Sequence, residues 1–265
     1  MEFAKLGLIA GNGELPQDVV DAYEKKGGKC FVASIAGIDF ISHSQKKFLL
    51  GEVGAIVSYF KENDVKDVVI IGGIKRPNFS QLKLDFMGAA LLSKIMHKKI
   101  RGDDNVLRIV ANFLESKSIN VIAATDILTL YQNKIKTTAY PSKQELEDIK
   151  LGEEIIVDSL SKYDIGQSAI IYGGYVLGVE GAEGTDKLIS RCFYLRQSKR
   201  GGVLIKIPKS TQDLRLDIPT IGPNTIKNLS ENGFNGIAIS KNVIVVSYEE
   251  TALLLEKNKI FLHYI

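Results

Sequence analysis

Short apolar runs alternate with amphipathic stretches through the first half of the chain, and this alternation constrains the fold more than any other feature. The runs that predict buried strands lie at 6–10, 30–38, 67–74 and 120–128. The patterns that predict helices lie at 17–28, 53–64, 84–99 and 105–118. Strands that alternate with helices in this way predict a parallel sheet covered by helices on both faces.

The pattern changes after a polar segment between Thr129 and Pro141, which is predicted to be a linker. Beyond it, two apolar runs flank Gly173-Gly174, which indicates a hairpin, and two more strands are predicted around Lys241-Asn242. Further helices are predicted at 142–161, 184–197, 223–233 and 249–259, with strands at 202–208 and 261–265. The predicted class is α/β, with an N-terminal Rossmann-like parallel-sheet domain over 1–132 and a C-terminal mixed α+β domain over 133–265.

Composition excludes several classes of function. The chain has 34 basic and 31 acidic residues, a net charge of +3, which is too balanced for a dedicated nucleic-acid binder. Two cysteines, Cys30 and Cys192, are too few for a disulfide framework. Because no signal peptide and no apolar stretch long enough to cross a bilayer is recognisable, a cytoplasmic protein is expected.

Two glycine turns follow predicted strands of the first half. Gly11-Asn12-Gly13 stands where backbone N–H groups at a helix start could meet a phosphate, although Pro16 replaces the third glycine of a dinucleotide fingerprint. Gly72-Gly73 is followed by the basic residues Lys75 and Arg76. Ligands bind beyond the carboxyl ends of parallel strands, so a substrate site is predicted at both turns. The alternative is a pair of tight turns that bind nothing.

Acidic residues, rather than histidines, are the candidates for chemistry. None of the three histidines has metal-ligand spacing, and no Walker A loop or nucleophile elbow is present. Chemistry would then rest on carboxylates and a hard cation such as Mg²⁺, which takes one or two carboxylates beside phosphate oxygens. Asp103 is a candidate substrate contact, with helix capping as its alternative.

The most informative acids lie in the stretch from Gln212 to Asp217, where polar residues alternate with leucines. If this stretch is extended, Asp213, Arg215 and Asp217 share one face and hold a cation and a phosphate together. The alternative is a surface ladder of ion pairs. Gly222 then opens a helix whose N-terminus favours anions.

A second acidic group contains Glu180, Glu183 and Asp186. Thr185 is predicted to cap the helix that follows, and a purely capping role for Asp186 is the alternative to metal binding.

These motifs resemble those of the LpxI-type UDP-2,3-diacylglucosamine diphosphatases of Gram-negative lipid A synthesis. The resemblance covers nearly the whole chain, in order, and its two longest segments are highly specific. The matching segments are LGLIAGNGELP, IGGIKRP, RGDDNVLR, DIGQSAIIYGGYVLGVEGAEGTDKL and GVLIKIPKSTQDLRLDIPTIGPNT.

The resemblance implies Mg²⁺-dependent hydrolysis of the pyrophosphate of UDP-2,3-diacylglucosamine to UMP and 2,3-diacylglucosamine 1-phosphate (lipid X), with water attacking the UMP phosphorus. It also implies a substrate cleft between two domains, and Asp217 as the essential carboxylate. The candidate catalytic residues are Asp217, Asp213, Arg215 and Lys206, and the candidate metal ligands are Asp217, Asp213, Glu183 and Asp186. The candidate substrate-binding residues are Gly11, Asn12, Gly13, Gly72, Gly73, Arg76, Asp103, Thr185, Lys209, Gln212, Thr220 and Gly222.

A substrate with two acyl chains calls for an apolar groove or a membrane-facing opening. The pattern at 84–99 combines apolar side chains with lysines, which suits contact with the inner face of the inner membrane, although a core helix with one basic edge fits it too. The oligomeric state stays open, a homodimer included. The competing functions are a non-catalytic nucleotide or glycolipid binder and, less favoured, an NAD(P)-dependent Rossmann oxidoreductase.

Overall fold

A computed structural model describes the protein at residues 5–35, 45–73, 82–97, 103–128, 135–163, 165–196, 198, 200–209, 212–216 and 218–265. Its contacts divide the chain into two compact units. The first contains Met1–Tyr131 together with Asp213–Asp217, and the second contains Gln132–Gln212 and Ile218–Ile265. Each unit is built on its own five-stranded sheet, which confirms the predicted α/β class with one parallel and one mixed sheet.

The first unit is a parallel sheet with the strand order β3-β2-β1-β4-β5. Its strands are β1 (Lys5–Ala10), β2 (Lys29–Ile35), β3 (Gln45–Phe48), β4 (Asp67–Ile71) and β5 (Asn120–Val121). Its helices are α1 (Leu15–Glu24), α2 (Val53–Glu62), α3 (Phe86–His97), α4 (Asp103–Glu115) and α5 (Thr125–Leu128). The strand order reverses at β1, so β1 and β4 form the switch point at which open sheets of this kind bind ligands.

In this unit one strand has no predicted counterpart and one prediction is wrong in detail. The strand β3 was missed because its exposed Lys46 and Lys47 hide the apolar pattern, as is common for an edge strand. The run at 120–128 forms only a two-residue strand, followed by the short helix α5 with Ile127 and Leu128 buried. Short apolar runs of this kind fit a strand or a buried helix equally well.

The second unit contains a mixed sheet with the strand order β12-β10-β8-β6-β7 and a separate parallel pair, β9 and β11. Its strands are β6 (Ser168–Tyr172), β7 (Tyr175–Val179), β8 (Val203–Lys206), β9 (Thr220–Ile221), β10 (Gly236–Ile239), β11 (Ile244–Val245) and β12 (Phe261–Tyr264). Its α-helices are α6 (Lys143–Ile155), α7 (Thr185–Cys192), α8 (Pro223–Glu231) and α9 (Tyr248–Asn258), and α6 continues as a π-helix at Ile156–Leu160.

Pairing within this sheet sets which strand ends meet. Strands β8, β10 and β12 are parallel, whereas β6 is antiparallel to both β8 and β7. The predicted hairpin around Gly173-Gly174 is confirmed as β6 and β7. The strands around Lys241-Asn242 do not pair with each other, because β10 lies in the large sheet and β11 pairs with β9.

Alternating residues of the second sheet supply two apolar clusters. Ile170, Leu204 and Ile237 belong to one cluster, and their neighbours Ile171, Val203 and Ala238 belong to the other. Strand side chains point alternately to opposite faces, so both faces of this sheet are covered. No helix within the described ranges is long and apolar enough to cross a membrane.

Candidate active site

The two glycine turns of the first unit lie side by side at the switch point. Asn12 N–H donates to the carbonyl of Gly73 at 2.8 Å, and Gly73 N–H donates back to the carbonyl of Asn12 at 2.8 Å. Gly11 N–H donates to the carbonyl of Ile71 at 2.8 Å. Asn12, Gly13, Gly72 and Gly73 are exposed at this edge of the sheet. The structure therefore brings together five of the predicted substrate-binding residues.

Close approach of the two backbones explains the glycines. A Cβ atom on Gly11 would lie 2.6 Å from the carbonyl carbon and oxygen of Gly72, a distance that real side chains do not reach. Gly72 has φ of 95° and Gly13 has φ of 110°, conformations that favour glycine. The resulting surface exposes backbone beside the start of α1, where partial positive charge favours an anion.

A network of Asp213, Arg215 and Glu115 holds the segment Asp213–Asp217 in the first unit. The Arg215 guanidinium donates from Nε to Asp213 Oδ1 at 3.0 Å and from Nη2 to Asp213 Oδ2 at 2.8 Å. Its Nη1 donates to Glu115 Oε1 at 2.7 Å, at the end of α4. Hydrogen bonding by Arg215 lowers the pKa of Asp213, and that same bond raises the pKa of Arg215.

The extended conformation considered for this segment is not adopted at Asp213–Leu216, whereas Asp213 and Arg215 do form an ion pair. Leu214, Arg215 and Leu216 form a turn in which Leu216 N–H donates to the carbonyl of Asp213 at 2.9 Å. Asp213 Oδ1 also accepts from Arg215 N–H at 3.1 Å, the two-residue reach that makes aspartate a turn residue. Local hydrogen bonding by the aspartate therefore overrides the alternating pattern.

Lys206, Thr185 and Glu180 form a polar cluster in the second unit. Lys206 Nζ donates to Thr185 Oγ1 at 2.8 Å, and the Thr185 hydroxyl donates to Glu180 Oε1 at 2.8 Å. Lys206 is 6% exposed and Glu180 is 8% exposed. Since Lys206 ends β8, the cluster lies at the edge of the sheet formed by the carboxyl ends of β8, β10 and β12.

Gln212 and Lys209 of the second unit are hydrogen-bonded to each other. Lys209 N–H donates to Gln212 Oε1 at 3.0 Å, and Gln212 Nε2 donates to Gln167 Oε1 at 3.3 Å. Gln167 immediately precedes β6, whose first residue Ser168 pairs with Lys206. The predicted contacts Lys206, Lys209, Gln212 and Thr185 are thus linked through neighbouring residues.

The predicted metal ligands Glu183 and Asp186 have protein partners. Arg191 donates to Glu183 Oε1 from Nε at 3.1 Å and from Nη2 at 2.9 Å. The pKa of Glu183 is lowered, first by its own backbone N–H and then by Arg191. Asp186 is exposed and accepts from Asn228 Nδ2 at 3.4 Å.

Thr185 is the first residue of α7, not its cap as predicted. Gly184 stands at the capping position with φ of 82°. The Thr185 hydroxyl donates to Glu180, so it is oriented away from the capping role.

Three further residues of the predicted site, Thr220, Gly222 and Asp103, are not part of the networks described above. Thr220 is half-buried in β9, and Gly222 precedes α8, which Pro223 opens as predicted. Asp103 is the first residue of α4, but its side chain lies outside the described part. Arg76 and Asp217 also lie outside the described residues.

The carboxylates in the described part of the chain fit a magnesium ion only when substrate phosphate oxygens and water supply its other ligands. No three His, Cys, Asp or Glu side chains in the described part of the chain group closely enough to hold a metal ion. Both Asp213 oxygens and the Glu183 carboxylate are bonded to guanidinium groups. Single carboxylates of this kind suit Mg²⁺ when substrate phosphate oxygens and water complete its shell.

Sequence reasoning did not select several residues that complete these networks. Glu115 and Arg108 act on the Asp213–Arg215 pair, Arg108 through its charge, and Ser168 and Gln167 lie beside Thr185 and Gln212, respectively. The family resemblance could have pointed to them, because all but Glu115 lie inside its segments RGDDNVLR and DIGQSAIIYGGYVLGVEGAEGTDKL. Glu115 carried no signal, since its partner is distant in the sequence.

Fold and site together define a two-unit α/β protein with an anion-favouring glycine crevice in one unit and a buried lysine cluster in the other. Family models of the LpxI N-terminal domain and the LpxI C-terminal domain match residues 5–130 and 132–263. UDP-2,3-diacylglucosamine pyrophosphatase LpxI of Caulobacter vibrioides is 31% identical over 261 residues, which cover 94% of this chain and 92% of that protein. The chain belongs to the LpxI family.

Proposed function

We propose that this protein hydrolyses the pyrophosphate of UDP-2,3-diacylglucosamine, releasing UMP and 2,3-diacylglucosamine 1-phosphate for lipid A biosynthesis. The observation that carries the proposal is the 31% identity to a pyrophosphatase of that substrate, which extends over 94% of the chain. Matches to both LpxI domains support it, since each unit contributes candidate residues. The reaction is the hydrolysis of a phosphoric anhydride.

Residues of the described networks have distinct roles in this proposal. Lys206, Lys209 and Arg215 supply positive charge that favours the negative charge on a transferring phosphoryl group. The exposed backbone at Asn12, Gly13, Gly72 and Gly73, beside the buried Gly11, accommodates a phosphorylated part of the substrate. Both carboxylate oxygens of Asp213 accept hydrogen bonds from the Arg215 guanidinium. The role of Asp213 is therefore to orient that guanidinium and to hold the turn in place.

Asp217 is proposed as the carboxylate that positions or activates the water attacking the UMP phosphorus. It directly follows the turn that the Asp213–Arg215 pair stabilises. Mg²⁺, when bound between such carboxylates and the substrate, would neutralise charge on the pyrophosphate oxygens. The candidate ligands remain Asp217, Asp213, Glu183 and Asp186, of which Asp213 and Glu183 would have to share their oxygens with arginine.

The test is release of UMP from UDP-2,3-diacylglucosamine, with Mg²⁺ and with excess EDTA. Turnover that stops in EDTA and returns with Mg²⁺ is expected. Asp217→Asn should keep the melting temperature of the wild type and lose at least about 100-fold in kcat. Asp64→Asn, which changes an exposed acid paired with Lys5, is the matched control and should keep full activity. Tight lipid X binding with no turnover under any divalent metal would instead identify a non-catalytic binder.

We propose that helix α3 forms the contact with the membrane surface where the acyl chains reside. Phe86 is 91% exposed and Met96 is 73% exposed, at the two ends of this helix, and the basic Lys94 lies between them. Exposed apolar side chains beside a lysine suit an anionic lipid surface. Cosedimentation with anionic vesicles should weaken in Phe86→Ser, whereas Leu253→Ser, at an exposed leucine of α9, should leave it unchanged. Equal binding by wild type and Phe86→Ser would remove α3 from this role.

A further inference from the structure

We propose that Glu180 is a positioning residue, whose buried carboxylate holds the ammonium group of Lys206 in place through the hydroxyl of Thr185. The inference rests on the proposed function, in which Lys206 meets the pyrophosphate of the substrate. It also changes the role of Thr185 from a substrate contact to a bridge between two buried charged groups.

The three side chains form a continuous path of short hydrogen bonds. Both links, from Lys206 Nζ to Thr185 Oγ1 and from Thr185 Oγ1 to Glu180 Oε1, are 2.8 Å long. Glu180 and Lys206 are more than nine-tenths buried, so their charges are only weakly screened by water. Charged side chains at this depth are rare unless they are paired.

The hydroxyl group of Thr185 fixes which atom donates and which accepts in each of the two hydrogen bonds. A threonine hydroxyl has one proton to donate and two lone pairs that accept. Because its proton goes to Glu180, an oxygen lone pair is directed toward the ammonium group of Lys206. Ser168 Oγ lies 3.5 Å from the same Thr185 oxygen. Glu180 therefore orients the bridging hydroxyl even though the structure records no direct ion pair between Glu180 and Lys206 among its described contacts.

Backbone contacts hold Glu180 itself in place. Gln167 N–H donates to Glu180 Oε2 at 3.4 Å, and Glu180 N–H donates to the carbonyl of Ser168 at 2.8 Å. A Cβ atom on Gly166 would lie 2.2 Å from the carbonyl oxygen of Glu180, so the two backbones are in close contact. Ser168 also pairs with Lys206 in the sheet, so the backbones of Glu180 and Lys206 are both neighbours of Ser168.

Asp148 provides a comparison within the same unit. It is 1% exposed, and its carboxylate accepts from the backbone N–H groups of Gly173 and Gly174 at 2.8 and 2.7 Å. These bonds anchor the β6–β7 turn on α6 and involve no basic side chain. Asp148→Asn therefore perturbs a carboxylate that is buried at least as deeply as Glu180, without touching Lys206.

The test compares Glu180→Gln, Thr185→Val, Thr185→Ser and Asp148→Asn by UMP release and by thermal melting. Glu180→Gln and Thr185→Val should each lower kcat about 10- to 100-fold with little change in KM, because a misplaced group costs mainly transition-state stabilisation. Thr185→Ser restores the hydroxyl and should stay within about threefold of wild type. Asp148→Asn should lower the melting temperature but keep kcat.

Two further measurements separate positioning from general damage. The double variant Glu180→Gln/Thr185→Val should be no slower than the slower single variant, because both changes break one path. In protein labelled with ¹⁵N at lysine Nζ, the resonance absent from Lys206→Met should be sharp in wild type and in Thr185→Ser. It should broaden or disappear in Thr185→Val, since the ammonium then exchanges with solvent.

Defined results would overturn the proposal. They are wild-type kcat in Glu180→Gln, equal loss in Thr185→Ser and Thr185→Val, or multiplied losses in the double variant. If Glu180→Gln fails to fold, the Thr185 pair decides alone. The Lys206 resonance does not depend on turnover. An inactive wild type with the expected resonance pattern would refute the proposed function while leaving the positioning of Lys206 supported.

Discussion

Arg215 Nη1 lies 2.7 Å from Glu115 Oε1, although the two residues are separated by 100 positions in the chain. This ion pair joins the turn at Leu214–Leu216 to the last residue of α4. The segment Asp213–Asp217 accordingly belongs to the first unit, whereas the residues on both sides of it belong to the second. In the sequence, the candidate catalytic acid Asp217 directly follows Leu216, the last residue of this turn.

Glu115→Gln tests whether this ion pair positions the segment. Both side chains are about a third exposed, so the loss of stability should stay below about 1 kcal/mol. UMP release should fall by about tenfold or more, because the Arg215 guanidinium loses one of its two anchors. Glu250→Gln removes an ion pair with Lys227 whose side chains are about half exposed, and it should leave kcat unchanged. Equal kcat in both variants would show that the ion pair has no role in activity.

Gly11→Ala and Gly73→Ala separate packing from ligand binding at the crevice. Gly11→Ala should destabilise the fold by at least about 2 kcal/mol, because its Cβ would meet Gly72 at 2.6 Å. The nearest atom to a Cβ on Gly73 is the Asn12 carbonyl oxygen at 3.9 Å, so Gly73→Ala should change stability by about 0.5 kcal/mol or less. If the crevice holds substrate, Gly73→Ala should raise KM. Unchanged KM would place the substrate elsewhere.

Ser34→Ala should leave the free energy of unfolding unchanged or raise it by up to about 1 kcal/mol. The Ser34 hydroxyl in β2 is fully buried and has no hydrogen-bond partner in the described structure. Removing an unsatisfied hydroxyl relieves a cost instead of breaking a bond. Ser161→Ala is the contrasting variant, since the Ser161 hydroxyl donates to the carbonyl of Ile156 at 2.8 Å, and it should lose about 1 kcal/mol. Chemical denaturation measures both, and similar losses would contradict the assignment.

Alkaline pH should destabilise the protein through Cys30. Burial, with a smaller contribution from Glu24, raises the pKa of Cys30 from 9.0 to about 12. The unfolded chain therefore releases the thiol proton first, so stability present below pH 9.0 is lost as pH rises toward about 12. Denaturation at about pH 8 and about pH 11 should show a smaller pH-dependent loss in Cys30→Ala than in wild type. Identical losses would mean that Cys30 does not titrate differently on unfolding.

Local patterns predicted most elements of both units, because a helix or strand depends largely on the spacing of nearby apolar residues. The strand β1 and the hairpin at Gly173-Gly174 are where their patterns placed them, and helix α1, with Pro16 as its second residue, ends at Glu24, ahead of the predicted stop at Gly27-Gly28. The errors share a physical cause. Strand β3 gains its stability from pairing with β2, and the end of the run at 120–128 becomes the short helix α5 through burial, neither of which the local pattern reports.

The sequence by itself determined the two-unit α/β class, the glycine turns after β1 and β4, and membership of a pyrophosphatase family through long motifs. Only the tertiary structure decided that Gly11 packs against Gly72, that Arg215 binds Glu115, and that Glu180 reaches Lys206 through Thr185. The physical reason is that strand order, strand register and burial set which distant side chains meet. Hydrogen bonds between them have lengths and directions that residue spacing along the chain does not contain.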